Sequence, residues 1–307
     1  MKKDFICIKD LTTSEIEGIF SLTDELKKDK TKFNKVLAGK TLALIFQKPS
    51  NRTRVSFEVG MYQLGGNSIY LAPNEINLGV RESIKDVAKT LSCYVDGIVI
   101  RTFEHKNVLE MAKFATIPVI NGLSDFSHPC QALADVYTIK EKLGNLKGVT
   151  LAYLGDGNNV CNSLLYAAAL VGLNMNVATP KGYEPSSTVV RKSKVFAKSK
   201  HSCINLFSNP VEAVNGADVI YTDVWASMGQ EKEAGLRKKL FKEFQVNKNL
   251  VKLAKKSCLV MHCLPAHRGE EITDEVIDSP NSIVFEQAEN RMHVQKAILI
   301  RLLGKKE

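Results

Sequence analysis

A chain of 307 residues, 44% hydrophobic and 24% charged, has the bulk for two α/β domains with separate cores. Its net charge of +9 comes from dispersed lysines without interleaved aromatics, which reads as a solvated basic face and not as a nucleic-acid platform. No apolar run approaches the roughly 20 residues of a membrane span, and the first sixteen residues mix Asp, Thr and Glu into their apolar positions, which excludes an ordinary signal peptide. The expectation is a cytoplasmic protein with neither nucleic acid nor membrane as partner.

Short β-branched runs alternate with longer amphipathic stretches, the pattern of parallel sheets flanked by helices. Strands are predicted over 41–46, 68–72, 97–101 and 117–120, with helices over 52–64, 83–95, 106–115 and 129–143. A break falls at Gly144-Asn145-Leu146-Lys147-Gly148. Beyond it, strands are predicted over 149–154, 175–178, 203–207, 218–222, 258–261 and 282–285, and a helix over 286–303 closes the chain. The expected fold class is α/β: two doubly wound parallel-sheet domains with the active site in the crevice between them. The first takes 1–145 with the C-terminal helix 286–307, and the second takes 146–285. Ligands of such domains lie at the carboxyl ends of strands, so the residues just after each strand are where chemistry is sought.

After the first strand, Pro49 stops the extended run and Ser50 can cap a helix beginning near Asn51 or Arg52. The free N–H groups of that first turn, with Ser50, Arg52 and Thr53, suit an anion such as phosphate. An ordinary capped helix, with Arg54 paired to Glu58 one turn on, explains the segment about equally well. Arg101 ends the third strand and would be a routine surface residue were the cradle not expected at the same sheet edge. After the fourth strand, Pro129 fits the first helical position, making His128 the cap and Gln131 the third helical residue. Their donors would converge where a carbonyl oxygen gains charge. Seven cysteines, at 7, 93, 130, 161, 203, 258 and 263, form no C-x-x-C pair and read as buried thiols, Cys263 excepted. A metal site at His262, Cys263 and His267 is disfavoured because neighbours on a strand point to opposite faces. Gly155-Asp156-Gly157 lacks the third glycine of a dinucleotide fingerprint, since Val160 stands there.

Together these segments resemble the aspartate/ornithine transcarbamoylase family, over essentially the whole chain. Ser50-Asn51-Arg52-Thr53-Arg54 is similar to the family's S-T-R-T-R motif, with Asn in the second place, and His128-Pro129-Cys130-Gln131 matches its H-P-C-Q form. Asp223-Val224-Trp225-Ala226-Ser227-Met228-Gly229 resembles the D-x-W-x-S-M-G loop of the ornithine branch. His262-Cys263-Leu264-Pro265 matches H-C-L-P, and Ala288-Glu289-Asn290-Arg291 matches A-E-N-R.

The resemblance implies transfer of the carbamoyl group of carbamoyl phosphate to the δ-amine of L-ornithine, giving L-citrulline and phosphate, most naturally in arginine biosynthesis. It implies carbamoyl phosphate contacts from Ser50, Asn51, Arg52, Thr53, Asn77, Arg101, His128, Gln131, Cys263, Leu264 and Arg291. Ornithine contacts fall to Asn159, Asp223, Ser227 and Met228, and catalytic roles to Cys263, Arg101 and His128. Asn77 stands where relatives carry Gln or His, in a loop that reaches a neighbouring subunit's site, so a homo-oligomer, a trimer, is implied. No cofactor is expected, because phosphate already activates the carbonyl. Three readings compete: another amine acceptor such as putrescine or acetylornithine, a dinucleotide-dependent dehydrogenase, and a nucleic-acid-binding module.

Overall fold

The computed structural model describes residues 3–29, 31–227 and 229–305. The chain runs α1 (Thr13–Lys28), β1 (Thr41–Phe46), α2 (Asn51–Gln63), β2 (Asn67–Leu71), α3 (Pro73–Ile76) and α4 (Ile84–Tyr94). There follow β3 (Gly97–Arg101), α5 (His105–Phe114), β4 (Val119–Leu123) and α6 (Pro129–Leu143). Next come β5 (Thr150–Leu154), α7 (Asn159–Val171), β6 (Asn174–Ala178), α8 (Ser187–Ser199), β7 (Ile204–Phe207), α9 (Pro210–Val214) and β8 (Val219–Thr222). The chain ends with α10 (Ala234–Leu240), α11 (Lys248–Val251), β9 (Leu259–His262), α12 (Asp274–Ile277) and α13 (Val284–Leu303).

Two compact units result. The first holds the described residues up to Ala134 and those from Asn290 onward, and the second is Asp135–Glu289. The chain passes from one to the other inside α6 and again inside α13.

In the first unit four parallel strands lie in the order β2-β1-β3-β4. Ala43, Ile45, Ile98 and Ile100 bury one sheet face against Val87 and Ala88 of α4 and Val108 and Met111 of α5. Helix α1 starts at a capping box in which Thr12 and Glu15 satisfy each other's backbone N–H. It then buries Ile16, Ile19, Phe20, Thr23 and Leu26, the three-and-four spacing of one helical face. Connections leave β1 toward β2 on one side and β3 toward β4 on the other. The carboxyl ends of β1 and β3 therefore flank a topological switch point.

In the second unit five parallel strands lie in the order β7-β6-β5-β8-β9. Its switch point falls between β5 and β8, by the same reasoning. Ala152, Leu154, Ile220 and Val260 pack against Ala213, Val214, Leu250 and Val276. Among the described residues no helix is long and apolar enough to cross a membrane.

Two expectations are corrected. The run 282–285 is not a strand. Ser282 makes one isolated bridge to Val260, and α13 has begun by Val284. Local β-branched preference there yields to the helix that Gln287 continues by donating its N–H to the Ile283 carbonyl. The cysteines are also not uniformly buried: Cys93 and Cys203 are exposed, while Cys7, Cys130, Cys161 and Cys258 are interior. Burial pushes the Cys130 and Cys258 thiols up to about 12, so both are inert at neutral pH.

Candidate active site

The switch point of the first unit gathers cations. After β1, Ser50 caps α2 by accepting the N–H of Thr53 at 3.1 Å. That leaves the other early N–H groups of the helix facing outward, with its positive dipole end. Arg101, the last residue of β3, is paired in register with Phe46, and its carbonyl accepts the N–H of Gln47 at 2.8 Å. Arg101 is therefore anchored beside the cradle and is only 8% exposed. From α13, Arg291 reaches back to donate to the Thr53 hydroxyl at 3.0 Å.

His128 completes the cluster. Helix α6 opens at Pro129, and Ala132 donates its N–H to the His128 carbonyl, so His128 stands at the cap position and Gln131 in the first turn, buried. Burial first, then the positive charges of Arg291, Arg101 and Arg52, hold His128 well below its ordinary pKa. It is thus a neutral imidazole among three arginines. Those charges within one unit describe a site for a polyanion, and a neutral imidazole beside it can donate to an oxygen that gains charge.

The Arg54–Glu58 pair of the plainer alternative is present as well, at 3.0 Å, with the guanidinium 3.7 Å from the Tyr70 ring centroid. Cap, ion pair and cradle occupy one helix start without conflict, because Arg54 is exposed while Thr53 is buried. Asn51 is exposed at the first position of α2. Asn77 is exposed as well and ends α3 in the left-handed region, φ +51°. Asparagine tolerates that conformation better than most residues, and the Asn77 carbonyl takes the N–H groups of Val80 and Arg81. This gives the position a local reason for asparagine, independent of any ligand.

The switch point of the second unit presents a carboxylate. Asp223 directly follows β8 and is 6% exposed. One oxygen accepts from the Cys263 thiol at 3.0 Å and the Val224 N–H at 2.8 Å, and the other from Asn158 Nδ2 at 2.8 Å. Each of these donors is neutral, and among the described residues no cationic side chain pairs with Asp223. A desolvated anion held only by neutral donors is poised for an ammonium group. Ser227 lies on the following turn, its N–H donating to Gln230 at 3.0 Å. Met228, expected to contact ornithine, lies outside the described residues.

Asn158 was not singled out by sequence reading, which pointed to Asn159. Asn158 is the cap of α7, its Oδ1 accepting from Val160 and Cys161 while its Nδ2 orients Asp223. The preference of asparagine for helix caps was the available signal. Asn159, half-buried, is the first residue of α7. Lys48 was also passed over. It is 7% exposed, with its ammonium 4.3 Å from the Phe103 ring centroid, two residues before Ser50.

The glycines at 155 and 157 have structural work to do. Gly155 adopts φ +130°, and a Cβ on Gly157 would sit 2.2 Å from the Pro185 nitrogen. This pair therefore makes room for the backbone of a neighbouring loop, and a cradle for a dinucleotide is not needed to explain it.

The segment after β9 turns sharply. Leu264 has φ +56° and precedes a cis proline. His262 is fully buried, with Nε2 3.0 Å from Glu271 and Nδ1 accepting the Leu264 N–H at 2.8 Å. Since Nδ1 accepts, Nε2 carries the proton and donates to Glu271. His262 and Cys263 accordingly engage different partners, and among the described residues no group of metal-ligating side chains is assembled. The Cys263 thiol is engaged as a donor to Asp223, which disfavours a covalent role. Cys263→Ser is expected to lose about tenfold in kcat/KM for ornithine, roughly 1.4 kcal/mol, whereas a nucleophilic cysteine would leave almost no turnover in steady-state assays.

Each parallel α/β unit thus presents a candidate site at its switch point, a cluster of arginines in the first and a buried carboxylate in the second. Residues 3–141 match the aspartate/ornithine carbamoyltransferase carbamoyl-P binding domain, and residues 147–302 the aspartate/ornithine carbamoyltransferase Asp/Orn binding domain. The chain belongs to the aspartate/ornithine carbamoyltransferase family. It is 57% identical to the ornithine carbamoyltransferase of Thermococcus kodakarensis, over 98% of this chain and 96% of that one. It is 55% identical to the anabolic ornithine carbamoyltransferase of Pyrococcus furiosus, with the same coverage. The solved ornithine carbamoyltransferase structure from Pyrococcus furiosus superposes with a TM-score of 0.96, covering 99% of this chain and 98% of the other at 55% identity. That from Thermus thermophilus gives 0.90 at 44% identity, covering 99% of each chain.

Proposed function

We propose that this chain transfers the carbamoyl group of carbamoyl phosphate to the δ-amine of L-ornithine, releasing L-citrulline and phosphate for arginine biosynthesis. The observation that carries the reading is Asp223, a buried carboxylate with neutral donors only, which suits an amino-acid side chain bearing an ammonium group. The similarity to an anabolic enzyme of this name supports the biosynthetic direction.

In this reading Ser50, Asn51, Arg52 and the start of α2 hold the phosphate, while Thr53, Arg101, His128, Gln131 and Arg291 hold the carbamoyl end. Charge grows on the carbonyl oxygen as the amine attacks, and Arg101 with neutral His128 offset it there. Phosphate then leaves toward Arg52 and the helix N-terminus. Asp223 and Cys263 receive the δ-ammonium and help it shed its proton, since an amine of pKa about 10 arrives mostly charged. Asn159, Ser227 and Met228 bind the α-amino and α-carboxylate end, and the backbone at Cys263 and Leu264 orients the carbamoyl group. Much of the gain is orientation of the amine toward the carbonyl carbon.

The protein is further proposed to act in the cytoplasm as a homotrimer, with the Asn77 loop serving a neighbouring subunit's site. The division into a carbamoyl phosphate part (1–145 with 286–307) and an ornithine part (146–285) belongs to the same proposal. The test offers carbamoyl phosphate with ornithine, putrescine, N-acetylornithine and aspartate in parallel. Product with ornithine alone is expected; product with a different amine only would overturn the assignment of Asp223 and Ser227.

A further inference from the structure

We infer that Arg237 is a positioning residue for the ornithine half-site, clasping the two strand ends that flank the switch point of the second unit. This rests on the proposed function. Arg237 stands on α10, outside every motif recognised in the sequence, yet it is only 5% exposed. Its Nη1 donates to Asp156 at 2.9 Å and to the Trp225 carbonyl at 2.8 Å, and its Nε to Glu233 at 3.1 Å. Asp156 lies two residues beyond β5 and two before Asn158. Trp225 lies three residues beyond β8 and two after Asp223. One guanidinium thus ties together the loop that carries Asn158 and the loop that carries Asp223 and Ser227.

The clasp has a rigid seat. The guanidinium carbon lies 4.7 Å from the Tyr183 ring centroid, and Phe241 packs 4.9 Å from Tyr183 and 6.0 Å from Trp225, centroid to centroid. The indole nitrogen of Trp225 is buried and has no hydrogen-bond partner among the described residues. The loop root is therefore held through its carbonyl, the atom that Arg237 engages. A lysine could not replace this, because one ammonium lacks the planar fork that reaches several acceptors at fixed angles.

Asp156 makes the clasp sensitive to acid. Burial raises its carboxyl to about 6, Arg237 opposes that rise, and the negative charges of Asp223 and Glu233 add to it. The other groups near it are the Tyr153 hydroxyl, which donates to the Asp156 carbonyl, and the Cys161 thiol. Above about pH 6 Asp156 is ionised and paired with Arg237; below it the carboxyl takes up a proton and the pairing weakens.

Arg237→Gln is expected to raise the ornithine KM about 30-fold, with the dissociation constant for carbamoyl phosphate, measured by calorimetry, within twofold of the parent. Millimolar guanidinium should restore part of the loss in Arg237→Gly. Asp156→Asn, which keeps an acceptor for Arg237 and removes the titration, should cost only a few-fold at pH 8. It should also erase a one-proton ionisation near pH 6 that is expected of the parent in kcat/KM for ornithine. An unchanged ornithine KM in Arg237→Gln, or equal damage to both substrates, would overturn the inference. Should that variant not fold, an unaltered pH profile in Asp156→Asn would do so. Failure of the functional reading is seen separately, as absence of citrulline from the parent protein.

Discussion

Asp223→Asn is expected to lower citrulline formation by about 1,000-fold, near 4 kcal/mol, while carbamoyl phosphate still binds within twofold of the parent. Three donors converge on the Asp223 carboxylate: the Cys263 thiol, the Val224 N–H and Asn158 Nδ2. An amide has only one acceptor oxygen. Its NH2 must confront either Asn158 or the Cys263 and Val224 pair, so at least one buried donor loses its acceptor. The charge that would receive an ammonium also disappears, from a position only 6% exposed where solvent cannot substitute for it. Titration of the variant with carbamoyl phosphate alone separates these effects from misfolding, because Ser50, Asn51 and Arg52, which hold the phosphate group, lie in the first unit. A loss smaller than tenfold would mean that Asp223 neither binds nor deprotonates the amine.

The sequence made the sheets legible because parallel strands buried on both faces read as short β-branched runs, and eight of the nine strands among the described residues begin within one residue of the expected position. The ninth, β4, starts two residues late. There Ile117 and Pro118 precede the ladder, and proline has no N–H to donate to it. The run 282–285 was misread because its composition is that of a strand while its fate is set by the helix downstream. Which strand ends adjoin was not legible at all, since strand order comes from pairing between segments far apart in the chain. That order places Arg101 beside the Ser50 cradle, and Asn158 beside Asp223.

Residue type and local geometry coincide at Ser50 and Pro129, whereas Asp223 entered only through the resemblance of its loop. Residues that act by holding others were not legible. Asn158, Glu271 and Arg237 carry their information in partners 9 to 81 positions away. Nothing in the immediate neighbourhood of Arg237 distinguishes it from the lysines at 238 and 239 beside it. Burial among Tyr183, Phe241 and Asp156 does so at once.

Arg101→Met is expected to cut kcat by about 100- to 1,000-fold, the usual cost of removing one donor from a developing oxyanion. Methionine preserves the bulk of the side chain at a strand end, and the Gln47 N–H can still donate to the carbonyl of residue 101, so β1 and β3 stay in register. Ser50, Arg52 and the N-terminus of α2 remain to bind phosphate. The informative comparison is therefore between turnover and inhibition by inorganic phosphate. If Arg101 serves the carbonyl oxygen, kcat collapses while the phosphate inhibition constant moves by less than about threefold. If it serves only the phosphate, that constant rises in step with the loss of kcat/KM, and the oxyanion assignment falls to His128 alone. A second consequence follows from electrostatics. Burial first, then Arg291, Arg101 and Arg52, hold the His128 pKa down, so removing Arg101 moves that pKa upward. The imidazole then takes up a proton as the pH falls, and the variant should lose activity in acid more steeply than the parent. Such an acid limb would report that the arginines around His128 keep it neutral as well as binding the anion.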